Sequence, residues 1–394
     1  VRILAAQATT RKAKVILQAV DALGGKRFFC LDWKTRSIAP VGYLTSSEAK
    51  GASRIQVSWN GVTAYVAFEP GRNEQLHIRT ADSTVRIDNP FFVANRFPAY
   101  ALSPDGSAIV ACDSRDLFVV DTAAETVFQQ ILVSLLAIGK TSFEVPRLDT
   151  VVTTGYNADQ SYQRILLGWD DSRPRTVLFQ DGYPGQLTYK VHRLWSYDPY
   201  TRSYTLRFGR VDDYFSSSLD GRFVLSTVND ETCCAGVNYS DNLIIMHRLP
   251  SGNARIIYDE WTRFNSHGKR EEHEPKKAIF SPDAQYIAST IRNLYVEDDE
   301  HAHYNDTTGE QEVTRADRKL FVFDTSAAIT RIVPDRDVLG WVDNTHLILT
   351  KFTESFTGQR WITTRGAPMI LDVQSGKEYP LLSTRAECLD IQWE

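Results

Sequence analysis

Two stretches of the chain hold residue types able to do chemistry or recognition. The first is Glu297 to Asp306, EDDEHAHYND, where His301 and His303 alternate and would share one face of an extended strand. Asp298 and Asp299 stand close by, and imidazole with carboxylate is a donor set for a divalent cation. A run of charges like this one is also what a solvated loop looks like. A divalent cation here is the one cofactor the sequence suggests; otherwise none is expected.

The second stretch, Tyr183 to Arg210, interleaves aromatic and basic side chains. Tyr189, Arg193, Trp195, Tyr197, Tyr200 and Arg202 are its candidates for partner contact. Aromatic rings give large contact area at low entropic cost and Arg adds stacking and bidentate hydrogen bonds, so both are enriched at interaction hot spots. The same mixture stacks sugars or single-stranded bases. The alternative is that alternate rings of a twisted hairpin simply pack on neighbouring structure. The mixed charges of His267 to Lys277, HGKREEHEPKK, read as a mobile loop. Asn238-Tyr239-Ser240 and Asn305-Asp306-Thr307 match the glycosylation acceptor pattern, as chance alone would provide. There is no G-x-S-x-G, no H-E-x-x-H, no phosphate-binding G-x-x-x-x-G-K-[ST] and no G-x-G-x-x-G, so no motif nominates a reaction.

Composition narrows the classes. With 42% hydrophobic and 24% charged residues among 394, the chain has the balance of a soluble protein with a large core. The formal net charge of -5 leaves no basic surplus for a nucleic-acid duplex. No apolar run approaches the ~18 residues of a membrane span, and the most apolar one, Ile131 to Ile138, reads as a buried strand. The five cysteines, Cys30, Cys112, Cys233, Cys234 and Cys388, form no regular framework and no C-x-x-C, and read as small buried hydrophobes. The chain starts at Val1 rather than Met, which reads as processing or trimming and puts a secreted or periplasmic location ahead of a cytoplasmic one.

What must position these residues is a repeat. A short apolar strand ends in a Ser-Pro-Asp-Gly turn, a second apolar strand follows, and then a hairpin whose first strand ends in Asp. Ala99 to Phe128 is the clearest copy, with Ser103-Pro104-Asp105-Gly106 and the strand Leu117 to Val120. Ser58-Trp59-Asn60-Gly61, Ser218-Leu219-Asp220-Gly221 and Ser281-Pro282-Asp283-Ala284 open further copies. Arg27 to Trp33 and Met369 to Gly376 keep only the second half, and Ile165 to Phe179 is a weaker hairpin. The residues ending these hairpin strands are Asp32, Ala81, Asp121, Asp170, His247, Asp324 and Asp372, spaced 49, 40, 49, 77, 77 and 48 apart. A period of roughly 40–50 residues with four short strands each is the signature of a β-propeller.

The expected fold is therefore all-β: one seven-bladed propeller over residues 1–394, with four-stranded antiparallel blades and insertions at about 183–210 and 262–318. The hairpin-like Tyr189 to Phe208 leaves half of an eighth blade as the alternative. Leu389 to Trp393 resembles Arg54 to Trp59, the first strand of a blade, so the tail is expected to supply the missing strand beside Lys14 to Val20. A helix over Thr10 to Leu23 is the competing reading of that stretch, and closure would make Cys30 and Cys388 neighbours.

The S-P-D-G turns followed by LFVVDT and LFVFDT resemble the Pro-Asp repeat propellers of the TolB type, relatives in shape of WD-repeat proteins. The likeness runs along nearly the whole chain, with full motifs only near Ser103 and Ser281. It implies architecture and says little of function, because propellers host binders, lyases, lactonases and peptidase gatekeepers alike. The expected function is a non-enzymatic scaffold presenting loops to a protein partner. A metal-dependent lyase or lactonase is the alternative, and a carbohydrate-binding propeller a third reading.

Overall fold

A computed structural model describes the chain except residues 1–10, 69–72, 82, 89–98, 113–116, 122–162, 174, 183–192, 199–200, 202, 209–212, 229–241, 250, 261–262, 265–269, 297–312, 357–360 and 383–385. The described residues form 28 strands and one short helix. They fall into two compact units, one containing Lys12–Pro184, Lys190–Arg210 and Ala386–Glu394, the other Val211–Arg385.

The first unit holds four antiparallel sheets. β1 (Ala13–Val20), β2 (Lys26–Asp32) and β3 (Ser37–Leu44) make the first, after which helix α1 (Ser46–Gly51) leads into the second. That second sheet is β4 (Ala52–Val57), β5 (Thr63–Ala67), β6 (Gln75–Arg79) and β7 (Thr84–Asp88). The third has three described strands, β8 (Ala99–Leu102), β9 (Ala108–Cys112) and β10 (Leu117–Asp121). The fourth is β11 (Gln163–Trp169), β12 (Val177–Gly182), β13 (Arg193–Asp198) and β14 (Ser203–Phe208).

In the other unit β15 (Asp213–Ser217), β16 (Phe223–Val228), β17 (Asn242–Arg248) and β18 (Ala254–Glu260) form the fifth sheet. The sixth joins a two-residue β19 (Arg263–Phe264) to β20 (Arg270–Phe280), β21 (Tyr286–Val296), β22 (Val313–Asp324) and β23 (Ile329–Pro334). The seventh is β24 (Arg336–Trp341), β25 (His346–Phe356), β26 (Trp361–Asp372) and β27 (Glu378–Pro380).

The last strand, β28 (Glu387–Trp393), returns to pair with β1, giving the first sheet the order β28-β1-β2-β3. Seven consecutive sheets, each a simple antiparallel meander and the first completed by the C-terminal strand, are the topology of a seven-bladed β-propeller. The stretch Ala13–Val20 is a strand, not a helix. Cys30 and Cys388 both flank β1, opposite Ile16 and Leu17, and are not joined in a disulfide.

Apolar strands form blades because, within each unit, consecutive sheets bury apolar faces against one another. Ile16, Phe28 and Leu44 of the first sheet pack with Val57 and Tyr65 of the second. Ala64, Val66, Leu76 and Ile78 of the second pack with Tyr100, Leu102 and Ile109 of the third. In the other unit Leu225, Ile244 and Met246 pack with Phe280, Ile287 and Phe323.

The recurring turns explain themselves in the same terms. Ser58, Ser103, Ser218 and Ser281 are all buried. Each hydroxyl donates to the side chain two residues on (Asn60, Asp105, Asp220 or Asp283, at 2.6–2.7 Å) and accepts a backbone N–H from the start of the next strand. Gly106 sits at φ +70°, and a Cβ there would lie 2.6 Å from Asn60 Oδ1 and Ser58 Oγ of the preceding copy. The Asp residues at strand ends do a matching job: Asp324 and Asp372 accept backbone N–H groups of the tight turn that follows. These motifs are fully used inside the fold.

The closing sheet carries an ion cluster. Lys14 Nζ donates to Asp32 Oδ2 at 2.8 Å and lies 3.2 Å from Glu394 Oε2, tying β1 to β2 and to the tail. The Lys14 ammonium, helped by the Thr35 N–H, holds the Asp32 carboxyl down to about 2. A carboxylate whose folded value lies below its unfolded one contributes in full above about pH 5, and its contribution disappears as the pH falls towards 2. Asp32→Asn is expected to cost about 1–2 kcal/mol at neutral pH, discounted for partial exposure. The difference from the parent should vanish between pH 5 and pH 2, as urea denaturation at stepped pH would show; a constant difference would refute the pairing.

Candidate functional site

The first strands of four consecutive sheets, β28, β4, β8 and β11, wall a cavity of about 400 Å³ in the first unit. Volumes of roughly 300–1,000 Å³ are those of ligand sites. The walls come from edge strands that carry a few polar side chains among apolar ones. Gln56 on β4 grips β8 like an extra backbone, its Nε2 donating to Tyr100 O at 2.9 Å and its Oε1 accepting the Leu102 N–H at 2.7 Å. One sheet earlier, Gln392 on β28 donates from Nε2 to Val57 O at 2.9 Å and to Asp390 Oδ2 at 3.0 Å. One sheet later, the Trp169 indole N–H donates to Ala101 O at 3.1 Å. Tyr100 turns its hydroxyl away to Arg54 O and Ala64 O, and burial pushes its phenol well above the usual value, so it stays neutral.

Two carboxylates, Asp171 and Asp390, complete the lining, and among the described residues no Lys, Arg or His belongs to it. Gln392, only 6% exposed, leaves its Oε1 buried without a hydrogen-bond partner. Sequence reasoning passed over these residues although the signal was present. Arg54 to Trp59 and Leu389 to Trp393 align as Ile55-Gln56 and Ile391-Gln392, which puts the two glutamines at one position of the repeat.

A second polar cluster lies in the other unit, between the long strands of the sixth and seventh sheets. Arg318 reaches Asp337 Oδ2 at 3.3 Å and Glu354 Oε1 at 3.2 Å, and its guanidinium lies 3.6 Å above the Phe352 ring. Arg292 Nε donates to Glu354 Oε2 at 2.9 Å, and Thr290 Oγ1 to Asp337 Oδ1 at 2.9 Å. Both carboxylates are thus held by guanidinium groups and act as a lock between sheets. Asp337→Ala would leave Arg318 half-buried without one of its two carboxylates, and is expected to cost about 2–3 kcal/mol in urea denaturation. A loss below about 0.5 kcal/mol, the range of an exposed pair, would show that the lock is solvated.

The structure distributes the sequence candidates unevenly. Tyr189, Tyr200, Arg202, His301, His303, Asp298 and Asp299 lie outside the described residues, as do Ile131 to Ile138 and both glycosylation acceptor sites. Arg193 opens β13, and its side chain is also outside them. Trp195 and Tyr197, on the same strand, are 8% and 2% exposed and pack with Val110, Val177 and Phe179. The packing reading of the alternate rings therefore describes these two, because β13 lies between β12 and β14 in the fourth sheet and is not an added loop. His267 to Lys277 is corrected as well: most of it is β20, paired with β21 from Arg270 onward, with His273 Nδ1 2.5 Å from Asn293 Oδ1. Among the described residues no group of three or more His, Cys, Asp or Glu is placed to hold a metal ion, and no helix is long and apolar enough to cross a membrane.

No protein-family model matches the chain, and no curated protein matches it. Solved structures do, and β-propellers are among them. TolB from Acinetobacter baumannii matches at 14% identity over 83% of this chain and 64% of its own, with a TM-score of 0.34. Prolyl oligopeptidase B from Galerina marginata matches at 9% over 99% of this chain and 53% of its own, TM-score 0.49. The β-propeller domain of the Trilobed protease from Pyrococcus furiosus, described as having an open velcro topology, matches at 10% over 93% of each chain, TM-score 0.42. This chain thus spans less than two thirds of the first two. The propeller assignment rests on the strand order of the chain itself.

Proposed function

We propose that the chain is a binding scaffold for a macromolecular partner, contacted through chain that exceeds the needs of the repeat. One observation carries this reading: in the second unit, much of the chain beyond the four-strand repeat lies where β16 leads to β17 and β21 to β22, with a further surplus between β18 and β20. β16 and β17 are separated by residues 229–241, β21 and β22 by residues 297–312, and β25 and β26 run to 11 and 12 residues before their turn. The opposite end of the same sheets is closed by the compact turns at Ser218 and Ser281 and by the Asp turns, whose polar groups are satisfied internally. Chain added to a rigid frame on one side is where binding usually resides.

The test replaces residues 229–241 and, separately, residues 297–312 with four-residue turns. The partner is captured from the native source, purified and titrated against parent and variants. At least one variant is expected to lose tenfold or more in affinity while its thermal midpoint moves by no more than a few degrees. Unchanged affinity in both variants would overturn the reading. So would stoichiometric metal in the purified parent together with turnover of a polyuronate or lactone.

A further inference from the structure

We propose that Asn60-Gly61 is a modification site: the pair loses ammonia through a cyclic imide when its turn separates from the third sheet, and the product then keeps the two apart. This inference does not rest on the partner-binding reading. Asn-Gly occurs once in the 394 residues. It is the dipeptide in which this chemistry is easiest, because glycine puts no side chain in the way of its own nitrogen. The Gly61 nitrogen, once it has given its proton to hydroxide, attacks the Asn60 Cγ. The bond from Cγ to Nδ2 breaks and the amide nitrogen leaves as ammonia. Water then opens the imide at either carbonyl, giving aspartate or, with the main chain rerouted through Cγ, isoaspartate.

In the folded chain both reacting groups are occupied. The Gly61 N–H donates to Ser58 O at 3.1 Å and closes the turn. Asn60 Oδ1 accepts the Ser58 hydroxyl at 2.6 Å, and Asn60 Nδ2 donates to Asp105 O. The Trp59 N–H adds a bond to Pro104 O at 3.2 Å, so the turn of the second sheet is fastened to that of the third at two points. On its other side Gly61, at φ +96°, lies so close to the first sheet that a Cβ would run into Val41 O. The fold therefore demands the very residue that makes Asn60 reactive. It also demands the amide. Asp105, Asp220 and Asp283 receive the same serine bond in their own turns, but a carboxylate has no hydrogen to give to the carbonyl of the next turn. Either product sets an acceptor-only carboxylate against Asp105 O, and isoaspartate adds a main-chain atom to a turn confined on both sides. Asn60 is itself exposed, so hydroxide and water reach it as soon as the turn lets go.

Peptide mapping by mass spectrometry follows the conversion of Asn60 in mildly alkaline buffer. The samples are the native chain, the chain in urea, and a synthetic peptide spanning residues 54–66. The peptide and the unfolded chain are expected to convert at similar rates, and the native chain at least tenfold more slowly, because it reacts only through local opening. The second half of the proposal is read from Asn60→Asp. Its Trp59 amide hydrogen should exchange at least tenfold faster than in the parent, while the thermal midpoint moves by no more than a few degrees. The rate comparison uses the parent chain alone, so it stands even where the variant fails to fold. Native conversion as fast as that of the peptide would overturn the proposal. So would an unreactive Asn60 in urea, or a Trp59 amide as well protected in the folded variant as in the parent.

Discussion

Ending the chain at Arg385 is expected to abolish cooperative folding of the unit that contains β1. The deletion removes β28 and with it a ladder of six paired positions, from Ala13 opposite Trp393 to Gln18 opposite Glu387. It strips cover from Val15, Ile16 and Leu17, each at most 1% exposed, and removes the Gln392 bond to Val57 and the Glu394 partner of Lys14. At about 1 kcal/mol for each backbone hydrogen bond, plus the apolar area returned to water, the loss exceeds roughly 5 kcal/mol, comparable with the whole stability of an ordinary domain. The bared edge of β1 would also pair with other molecules, so soluble aggregates are expected in size-exclusion chromatography. A synthetic peptide spanning residues 386–394, added in trans, should restore a cooperative thermal transition to the truncated chain. A truncated chain that melts within a few degrees of the parent would show that β28 is an ornament rather than the closing strand.

That closing strand was legible because its Ile-Gln pattern repeats that of another first strand, β4. Turn chemistry was legible for a related reason: Ser and, two residues on, Asp or Asn make the same hydrogen bonds in four of the copies. What misled was Asp170. It follows β11, a first strand, whereas the residues at the corresponding turn elsewhere, such as Asp324 and Asp372, follow third strands. The proper counterpart in the fourth sheet is Asp198, whose carboxylate accepts the Thr201 N–H. Moving the mark from Asp170 to Asp198 changes the spacings around it from 49 and 77 to 77 and 49. The surplus chain then lies before β11, over residues 122–162, and Arg193–Asp198 becomes an ordinary strand.

The cavity was not legible in this way. Its two glutamines share one position of the repeat, but the space that four neighbouring first strands enclose between them leaves no mark in local sequence. Aromatic and basic composition, by contrast, marks an interface and a blade core alike. Burial alone separates them, and burial is a property of the assembled sheets.

Trp195 is where that separation has the largest measurable consequence. Its ring lies nearly parallel to that of Phe179, with planes 6° apart and centroids at 6.4 Å, and Val110 of the neighbouring sheet belongs to the same cluster. Trp195→Ala would open a cavity between the third and fourth sheets that two β-ladders cannot collapse to fill. Such truncations cost about 3–5 kcal/mol. For a cooperative unit of about 200 residues that is a fall in thermal midpoint of roughly 10 °C. Trp195→Phe keeps a ring in the stack and should lose less than half as much. Calorimetric scans of the three proteins decide the matter. A midpoint unchanged by the alanine, coupled with weakened partner binding, would return this side chain to the surface. A large fall with unchanged affinity of the folded fraction fixes it as the contact that holds one blade to the next, because a ring enclosed on both faces has nothing left to offer a partner.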